Sequence, residues 1–154
     1  MKHQSYGRLL LMAAASFAAM YVLMYAMVDS RSNVFSNVNQ AYMAALMAAP
    51  MVLIELVLMR DMYPNRRLNV ALCALSIIAL AGFFSLIRLQ GGVTDRQFLR
   101  SMIPHHGSAI LMCERTNLND EEILRLCSGI ISSQQSEIDW MKSKLAKIKS
   151  IEAG

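Results

Sequence analysis

The stretch 68–87, LNVALCALSIIALAGFFSLI, is twenty residues long and contains no acidic or basic side chain. A helix of about 20 apolar residues crosses a bilayer, so this stretch predicts a transmembrane span. Two similar stretches precede it, at about 9–28 and 40–59. Of the three, only the middle one contains an acidic or basic residue, Glu55. The connectors between them are short and polar. The sequence therefore predicts three membrane helices within residues 1–90.

The composition agrees with this prediction and excludes several classes of protein. The chain is 55% hydrophobic and only 17% charged, which is too apolar for a soluble enzyme of this length or for a disordered chain. The net charge of +4 lies entirely in residues 1–90, which have seven Lys/Arg against three Asp/Glu, whereas residues 91–154 have eight of each. This excess fits a signal for membrane topology, and nucleic-acid binding is excluded.

The distribution of basic residues also predicts an orientation. Lys2 and Arg8 precede the first span, while Arg31 follows it beside Asp29, and basic residues favour the cytoplasmic side. We therefore expect a cytoplasmic N-terminus in the inner membrane and, after three crossings, a periplasmic C-terminal domain. A cleaved signal peptide is the alternative interpretation of the first stretch.

Beyond Arg88 the composition changes abruptly, with Gly91-Gly92 as the expected hinge. The capping box T-D-R-Q at 94–97 predicts a helix from Asp95 to about Thr116, which Pro104 should kink or restart. A second helix is predicted from about 120 to 150. Its apolar seam is spaced alternately three and four residues apart, a heptad pattern: Leu124, Cys127, Ile131, Gln134, Ile138, Met141, Leu145 and Ile148.

These patterns predict an all-α fold in which three transmembrane helices precede a ferritin-like helical hairpin. The expected domains are a membrane region at 1–90 and an extracytoplasmic hairpin domain at 91–154. A hairpin of about sixty residues has a thin core. We therefore expect two copies to pair as a four-helix bundle in a homodimer.

The candidate chemistry lies in the stretch 101–114, SMIPHHGSAILMCE. At about 100° per residue, five potential ligands share an arc of about 120° on one helix. Thioether, thiolate and imidazole groups together favour copper(I) or its mimic silver(I), and zinc is also possible. The alternative is that these side chains only pack in the core. The five candidate ligands are Met102, His105, His106, Met112 and Cys113.

Three residues of the second helix complete the candidate site. Gln134 interrupts the seam either as a residue that fixes the register or as a partner that orients an imidazole. Glu137 and Met141 lie close to it on the same side, and Glu137 is otherwise a solvated flank. Cys113 and Cys127 either form a disulfide, as an oxidising compartment would allow, or remain free thiols.

The elements MIPHHGSAILM (102–112) and IISSQQSEIDWM (130–141) resemble the domain of unknown function 305 family over about residues 94–146. This resemblance implies a helical, exported domain, and it implies copper binding as in some members. It carries candidate roles onto Met102, His105, His106, Met112, Gln134, Glu137 and Met141. The two cysteines depart from the family pattern, in which alanine is more usual.

The second span contains a further pattern, with Met, Met, Met, Glu and Met at positions 43, 47, 51, 55 and 59. An ionisable residue inside a membrane is a functional candidate because burying its charge is costly. One interpretation is copper transport along this methionine stripe. The alternative is a protonated Glu55 that is hydrogen-bonded to a neighbouring helix, with methionine as filler.

We therefore expect a membrane-anchored, periplasmic metal-binding protein that sequesters copper(I) or hands it to a copper-handling partner. No E-x-x-H, H-E-x-x-H, G-x-S-x-G or phosphate-loop motif occurs, so we expect no enzymatic activity. The alternatives are a structural or assembly module of the inner membrane without metal, and transport of copper through the spans.

Overall fold

The protein is described here by a computed structural model that covers residues 2–152, with side chains from Ser5 to Ile151. Met1, Ala153, Gly154 and the side chain of Lys2, which contributes to the orientation argument, lie outside the described residues. The described chain consists of helices joined by short turns and contains no β-strand, so the all-α fold is confirmed. The helices are α1 (Lys2–Leu23), α2 (Val38–Leu58), α3 (Arg66–Leu89), α4 (Asp95–Arg115) and α5 (Glu121–Glu152).

Three helical segments are long and apolar enough to cross a membrane. They are Ser5–Met27, Val38–Leu58 and Arg66–Leu89, with mean hydropathies of 2.0, 2.0 and 2.6. Their positions agree with the three predicted stretches. Between α2 and α3 the chain turns at Asn65, whose side chain accepts a hydrogen bond from the Leu68 N–H and so caps α3.

The chain divides into two compact units. The first contains α1, nearly all of α2, and α3, up to Met24 and then over Asn39–Gly92. Its interior is built around Leu9, Leu56 and Tyr63. The second unit contains Tyr25–Val38 together with the chain from Val93 onward. The expected division between residues 90 and 91 lies close to the boundary at Gly92, but it left Tyr25–Val38 with the membrane region.

The second unit is built on the hairpin of α4 and α5. Thr94 caps α4 by accepting a hydrogen bond from the Gln97 N–H at 3.4 Å. Asp120 caps α5 through hydrogen bonds from the amides of Glu122 (2.9 Å) and Ile123 (3.1 Å). Both caps lie where the sequence predicts helix starts. Pro104 does not restart the helix, because α4 continues through this residue without a break.

The core of the hairpin follows the predicted seam of α5. Ile138 and Met141 are buried against Leu99, Ile103 and Ile110 of α4, and the other seam residues from Cys127 onward are partly buried. Leu124 is the exception, since 46% of its surface is exposed. The seam therefore becomes an internal surface only after the first turn of α5.

The loop Tyr25–Val38, which we call the strap, packs on the hairpin and completes the second unit. Phe35 packs against the buried core, and the Val38 N–H donates a hydrogen bond to Gln97 Oε1 at 3.1 Å. The Lys142 ammonium donates to Ser32 Oγ at 3.3 Å. The strap thus contacts both helices of the hairpin, although it lies more than fifty residues earlier in the chain.

Candidate functional site

The centre of the candidate site is a contact between α4 and α5. His106 is buried, with 6% of its surface exposed, and its Nε2 lies 2.7 Å from Glu137 Oε2. Ser133, one turn earlier on α5, donates a hydrogen bond from its hydroxyl to Glu137 Oε1 at 3.0 Å. The inward seam of each helix positions these groups, because His106 shares the buried side of α4 with Ile103 and Ile110.

The electrostatics of this contact determine which nitrogen of His106 carries hydrogen. The hydrogen bonds from His106 and then from Ser133 lower the pKa of the Glu137 carboxyl, because they stabilise its ionised form. An ionised carboxylate only accepts hydrogen bonds, so His106 Nε2 is the donor in this contact. Nδ1 is buried and has no hydrogen-bond partner among the described residues.

A pocket of about 230 Å³ lies beside this contact. Met102 and Met141 line it together with His106 and Glu137. The pocket therefore brings two thioethers, one imidazole and one carboxylate to a single place. Four of the eight candidate site residues meet here, two from each helix. The wall is completed by Phe98, Leu99 and Trp140.

The other predicted ligands lie elsewhere. His105 is exposed, and 53% of the surface of Met112 is exposed, so neither lines this pocket within one chain. Gln134 does not line it either, and its buried Oε1 has no hydrogen-bond partner in the described part of the chain. The arc of about 120° was thus too broad a criterion, because one helix face includes both inward and outward side chains.

Cys113 is not available as a ligand. It forms a disulfide with Cys127, and the two Cα atoms lie 5.3 Å apart. A disulfide sulfur is not the thiolate that binds soft metal ions, so its inclusion among the candidate ligands is corrected. The hairpin brings the two residues level, which removes the stagger of about 6 Å that a symmetric turn near residue 118 would impose.

The types of ligand in this pocket indicate which metal ion could bind there. Among the side chains described, from Ser5 to Ile151, no three of His, Cys, Asp or Glu are grouped so that they could hold a metal ion. Zinc sites are usually built from such residues. Two thioethers with one imidazole, by contrast, match the preferences of copper(I).

The strap contributes a contact that the sequence analysis missed. A Cβ added at Gly107 would collide with Asp29 Oδ1 and would lie 3.3 Å from Val28 Cγ1. Asn33 fixes the Asp29 carboxylate by donating from its amide to both oxygens, at 2.8 and 2.9 Å. The only sequence signal was the glycine directly after the two histidines, which indicates close approach of another segment.

In the first unit, Glu55 accepts a hydrogen bond from the Tyr63 hydroxyl at 3.1 Å. The donor therefore comes from the connector between α2 and α3, not from a neighbouring helix. Along the methionine stripe, Met43, Met47 and Met59 are 39%, 45% and 41% exposed. Neither these residues nor Glu55 line the apolar cavity of about 440 Å³ in this unit.

Comparisons with known proteins give a family but no activity. A family model described as Domain of unknown function (DUF305) matches residues 82–145. Uncharacterized protein L153 of Acanthamoeba polyphaga mimivirus is 34% identical over 146 residues, which is 92% of this chain and 93% of the viral protein. No solved structure matches.

Proposed function

The chain belongs to the DUF305 family, and we propose that its hairpin binds copper(I) or the similar soft ion silver(I). The family description gives no activity, so the proposal depends on the site itself. The observation that carries it is the partnerless, buried Nδ1 of His106, in a residue that shares one pocket with two methionines.

Each side chain has a distinct role in this proposal. Met102 and Met141 would supply soft thioether ligands, and His106 would supply an imidazole nitrogen. Glu137 would hold the imidazole through Nε2, as carboxylates commonly do for metal-binding histidines. The bound ion would supply only its affinity for soft donors, since sequestration or transfer of a metal ion needs no bond-making chemistry.

We propose that this domain lies outside the cytoplasm. Three apolar helices support membrane anchoring, and the basic residues around the first helix favour a cytoplasmic N-terminus in the inner membrane. The hairpin would then be periplasmic, where a copper-handling partner could deliver or receive the ion. The disulfide fits an oxidising compartment.

We also propose that two copies pair through the hairpin, because a two-helix core is thin.

The test is an anaerobic copper(I) titration of the full chain in detergent against a calibrated competing chelator. The full chain is used because the strap forms part of the hairpin unit. We expect a dissociation constant below about 1 μM, or about −8 kcal/mol. Met102→Leu and Met141→Leu should each weaken binding at least about tenfold, since leucine keeps the volume but removes the thioether.

Met112→Leu is the matched control, because Met112 lies outside the pocket, and it should bind like the unchanged protein. Absence of saturable binding in the unchanged protein would contradict the proposal. So would equal losses in the control and the two pocket variants, since these would indicate surface binding to any methionine.

A structural role without metal is the second candidate, and the contact between His106 and Glu137 favours it, since this contact joins α4 to α5 at 2.7 Å. On that interpretation, a His105→Ala/His106→Ala variant should lose thermal stability even with a chelator present. A metal site predicts in addition that copper(I) raises the thermal stability of the unchanged protein and does not raise that of the variant.

Copper transport through the spans is a third proposal. It predicts that Met47→Leu and Glu55→Gln abolish copper uptake into vesicles, and unchanged flux would refute it. The exposure of Met47 and the hydrogen bond of Glu55 to Tyr63 favour the hairpin site over this one.

A further inference from the structure

The two faces of the hairpin differ in what covers them. The strap closes one face through its contacts at Gly107 and Lys142. On the opposite side, Phe98, Met112, Leu126 and Trp140 are 50%, 53%, 61% and 61% exposed. A cluster of large exposed apolar side chains of this kind marks a surface of interaction.

Helical spacing shows that these residues form one continuous surface. On each helix they follow a stripe with alternating steps of four and three residues, about a quarter turn from the buried seam. Helices with so wide an apolar face contact two neighbours, as in a bundle. We call this surface the open face; it consists of Phe98, Met102, His105, Ala109 and Met112 on α4 and Leu126, Ile130, Ser133, Glu137 and Trp140 on α5.

We propose that a second copy of this chain covers the open face, with each helix antiparallel to its counterpart and His105 beside the partner's His105. This inference gives the proposed pairing its surface and its register. It also brings His105, which does not line the pocket beside His106, to an interface where two imidazoles meet.

The register follows from the symmetry of the two stripes. Phe98 lies seven residues before His105 and Met112 lies seven after it, so an antiparallel pair centred on His105 packs phenylalanine against methionine at both ends. On α5, Ile130 and Trp140 are centred on residue 135 in the same way. Such a self-complementary surface is the requirement for a two-fold dimer.

The two centres lie at nearly the same level of the hairpin. His106, next to His105, contacts Glu137, which is two residues, or about 3 Å, from position 135. One two-fold axis across the hairpin therefore satisfies both helices. The same register places Ser133 opposite the partner's Glu137, so that the polar residues of the open face also meet each other.

Charge complementarity supports the antiparallel arrangement. The first turn of α5 is acidic, with Glu121 and Glu122, whereas its last turns contain Lys144, Lys147 and Lys149. An antiparallel pair of α5 helices centred on 135 places each acidic end beside the partner's basic end. A parallel pair would place like charges together, which is unfavourable.

The register can be tested by thiol crosslinking of the full chain in membranes, with a chelator present and Cys73→Ser as the background. His105→Cys should give a covalent dimer with a short bis-maleimide. Glu114→Cys is the control, because Glu114 is exposed on α4 about 180° away from His105. Phe98→Cys alone should not crosslink, since two such positions would lie about 21 Å apart in an antiparallel pair.

Self-crosslinking at Phe98→Cys would indicate parallel pairing and overturn the proposal. Equal crosslinking of the His105→Cys and Glu114→Cys variants would indicate random collision and overturn it too. A third refutation would be a monomeric mass for the unchanged protein in detergent.

A second test uses the strength of association. Phe98→Glu and Trp140→Glu should each raise the dimer dissociation constant at least about tenfold, because buried aromatic residues dominate interfaces. Ser128→Glu is the control, since Ser128 is exposed on α5 about 160° away from Leu126 of the open face. Unchanged dimerisation in both aromatic variants, with helical content retained, would refute the open face as the interface. All of these measurements are made without metal, so failure of copper binding would leave the pairing unaffected.

Discussion

Gly107 is the residue on which the packing of the strap against α4 depends. The space that a Cβ would need is already filled by Asp29 and Val28. Asp29 cannot move aside freely, because Asn33 holds both of its carboxylate oxygens. The absence of a side chain at this position, beside the two histidines, therefore allows the strap to lie directly on the helix.

Replacing Gly107 by alanine should destabilise the hairpin unit. Alanine in place of glycine normally stabilises a helix by about 1 kcal/mol, but here the collision with the strap should reverse the sign and cost about 1–3 kcal/mol. Gly129→Ala is the matched control, since its Cβ would meet nothing within 4 Å, and it should stabilise. Thermal unfolding in detergent measures both variants, and stabilisation by Gly107→Ala would contradict the packing described here.

Glu137 makes the stability of the hairpin depend on pH. Its pKa is lowered from the ordinary value of 4.5, mainly by the hydrogen bond to His106. A carboxyl with a lowered pKa in the folded state contributes stability that is complete above its unfolded pKa and is lost as the pH falls through the folded value. We expect the melting temperature of the chelator-treated protein to decrease as the pH is lowered below about 4.5. The decrease should be smaller for Glu137→Gln. Parallel curves for the two proteins would refute this contribution.

At the scale of elements, the helices of the hairpin could be predicted from the sequence because their signals are local. The caps at Thr94 and Asp120 and the heptad seam of α5 depend on residues a few positions apart, and each appears in the structure. The continuity of α4 at Pro104 could not be predicted, because it depends on burial of this residue within the packed hairpin, whereas the residue alone disfavours a helix.

The disulfide should contribute substantially to the stability of the hairpin, because it joins the facing ends of α4 and α5. Cys113 and Cys127 are separated by 14 residues, and closing a loop of that length is worth about 3 kcal/mol. Cys113→Ser/Cys127→Ser should lower the free energy of unfolding by about that amount and make it insensitive to reductant. Cys73→Ser, which removes the free cysteine, should leave the sensitivity to reductant unchanged. Equal stability of the reduced and oxidised forms would contradict this prediction.

At the scale of the whole molecule, the contacts between the strap and the hairpin can be compared with the predicted membrane topology. It lies between α1 and α2 but packs with α4 and α5, and exactly two spans, α2 and α3, separate it from the hairpin in sequence. Two crossings return a chain to the side from which it started. The three-span prediction and the strap contact are therefore consistent with each other, although they come from independent observations.

This consistency predicts the labelling of the chain in sealed vesicles. In a Cys73→Ser background, Ser32→Cys in the strap and Lys144→Cys on α5 should react with a membrane-impermeant maleimide from the same side. Asp61→Cys, in the connector between α2 and α3, should react only from the other side. Labelling of the strap and α5 variants from opposite sides would refute the arrangement of spans.

The sequence indicated which residue types could form the candidate site, but not which of these residues share one pocket. Four of the residues that the sequence analysis singled out, Met102, His106, Glu137 and Met141, line one pocket. The sequence could not separate His106 from His105, since adjacent residues on a helix differ by only about 100°. Gly107 indicated only that some segment approaches α4 closely, and the strap could not be identified as that segment because no local pattern relates the residues in contact.

The distance along the chain between the strap and its partners sets an order of events during biosynthesis. Phe35 emerges from the ribosome 106 residues before Met141 (141 − 35 = 106), a delay of about 5–20 s at ordinary rates of translation. Throughout that interval the core against which Phe35 packs is incomplete, and in the proposed topology α2 and α3 are inserted before it is complete. In this topology a newly made chain passes through a stage in which the apolar side chain of Phe35 stays unburied until the C-terminal helices have been made.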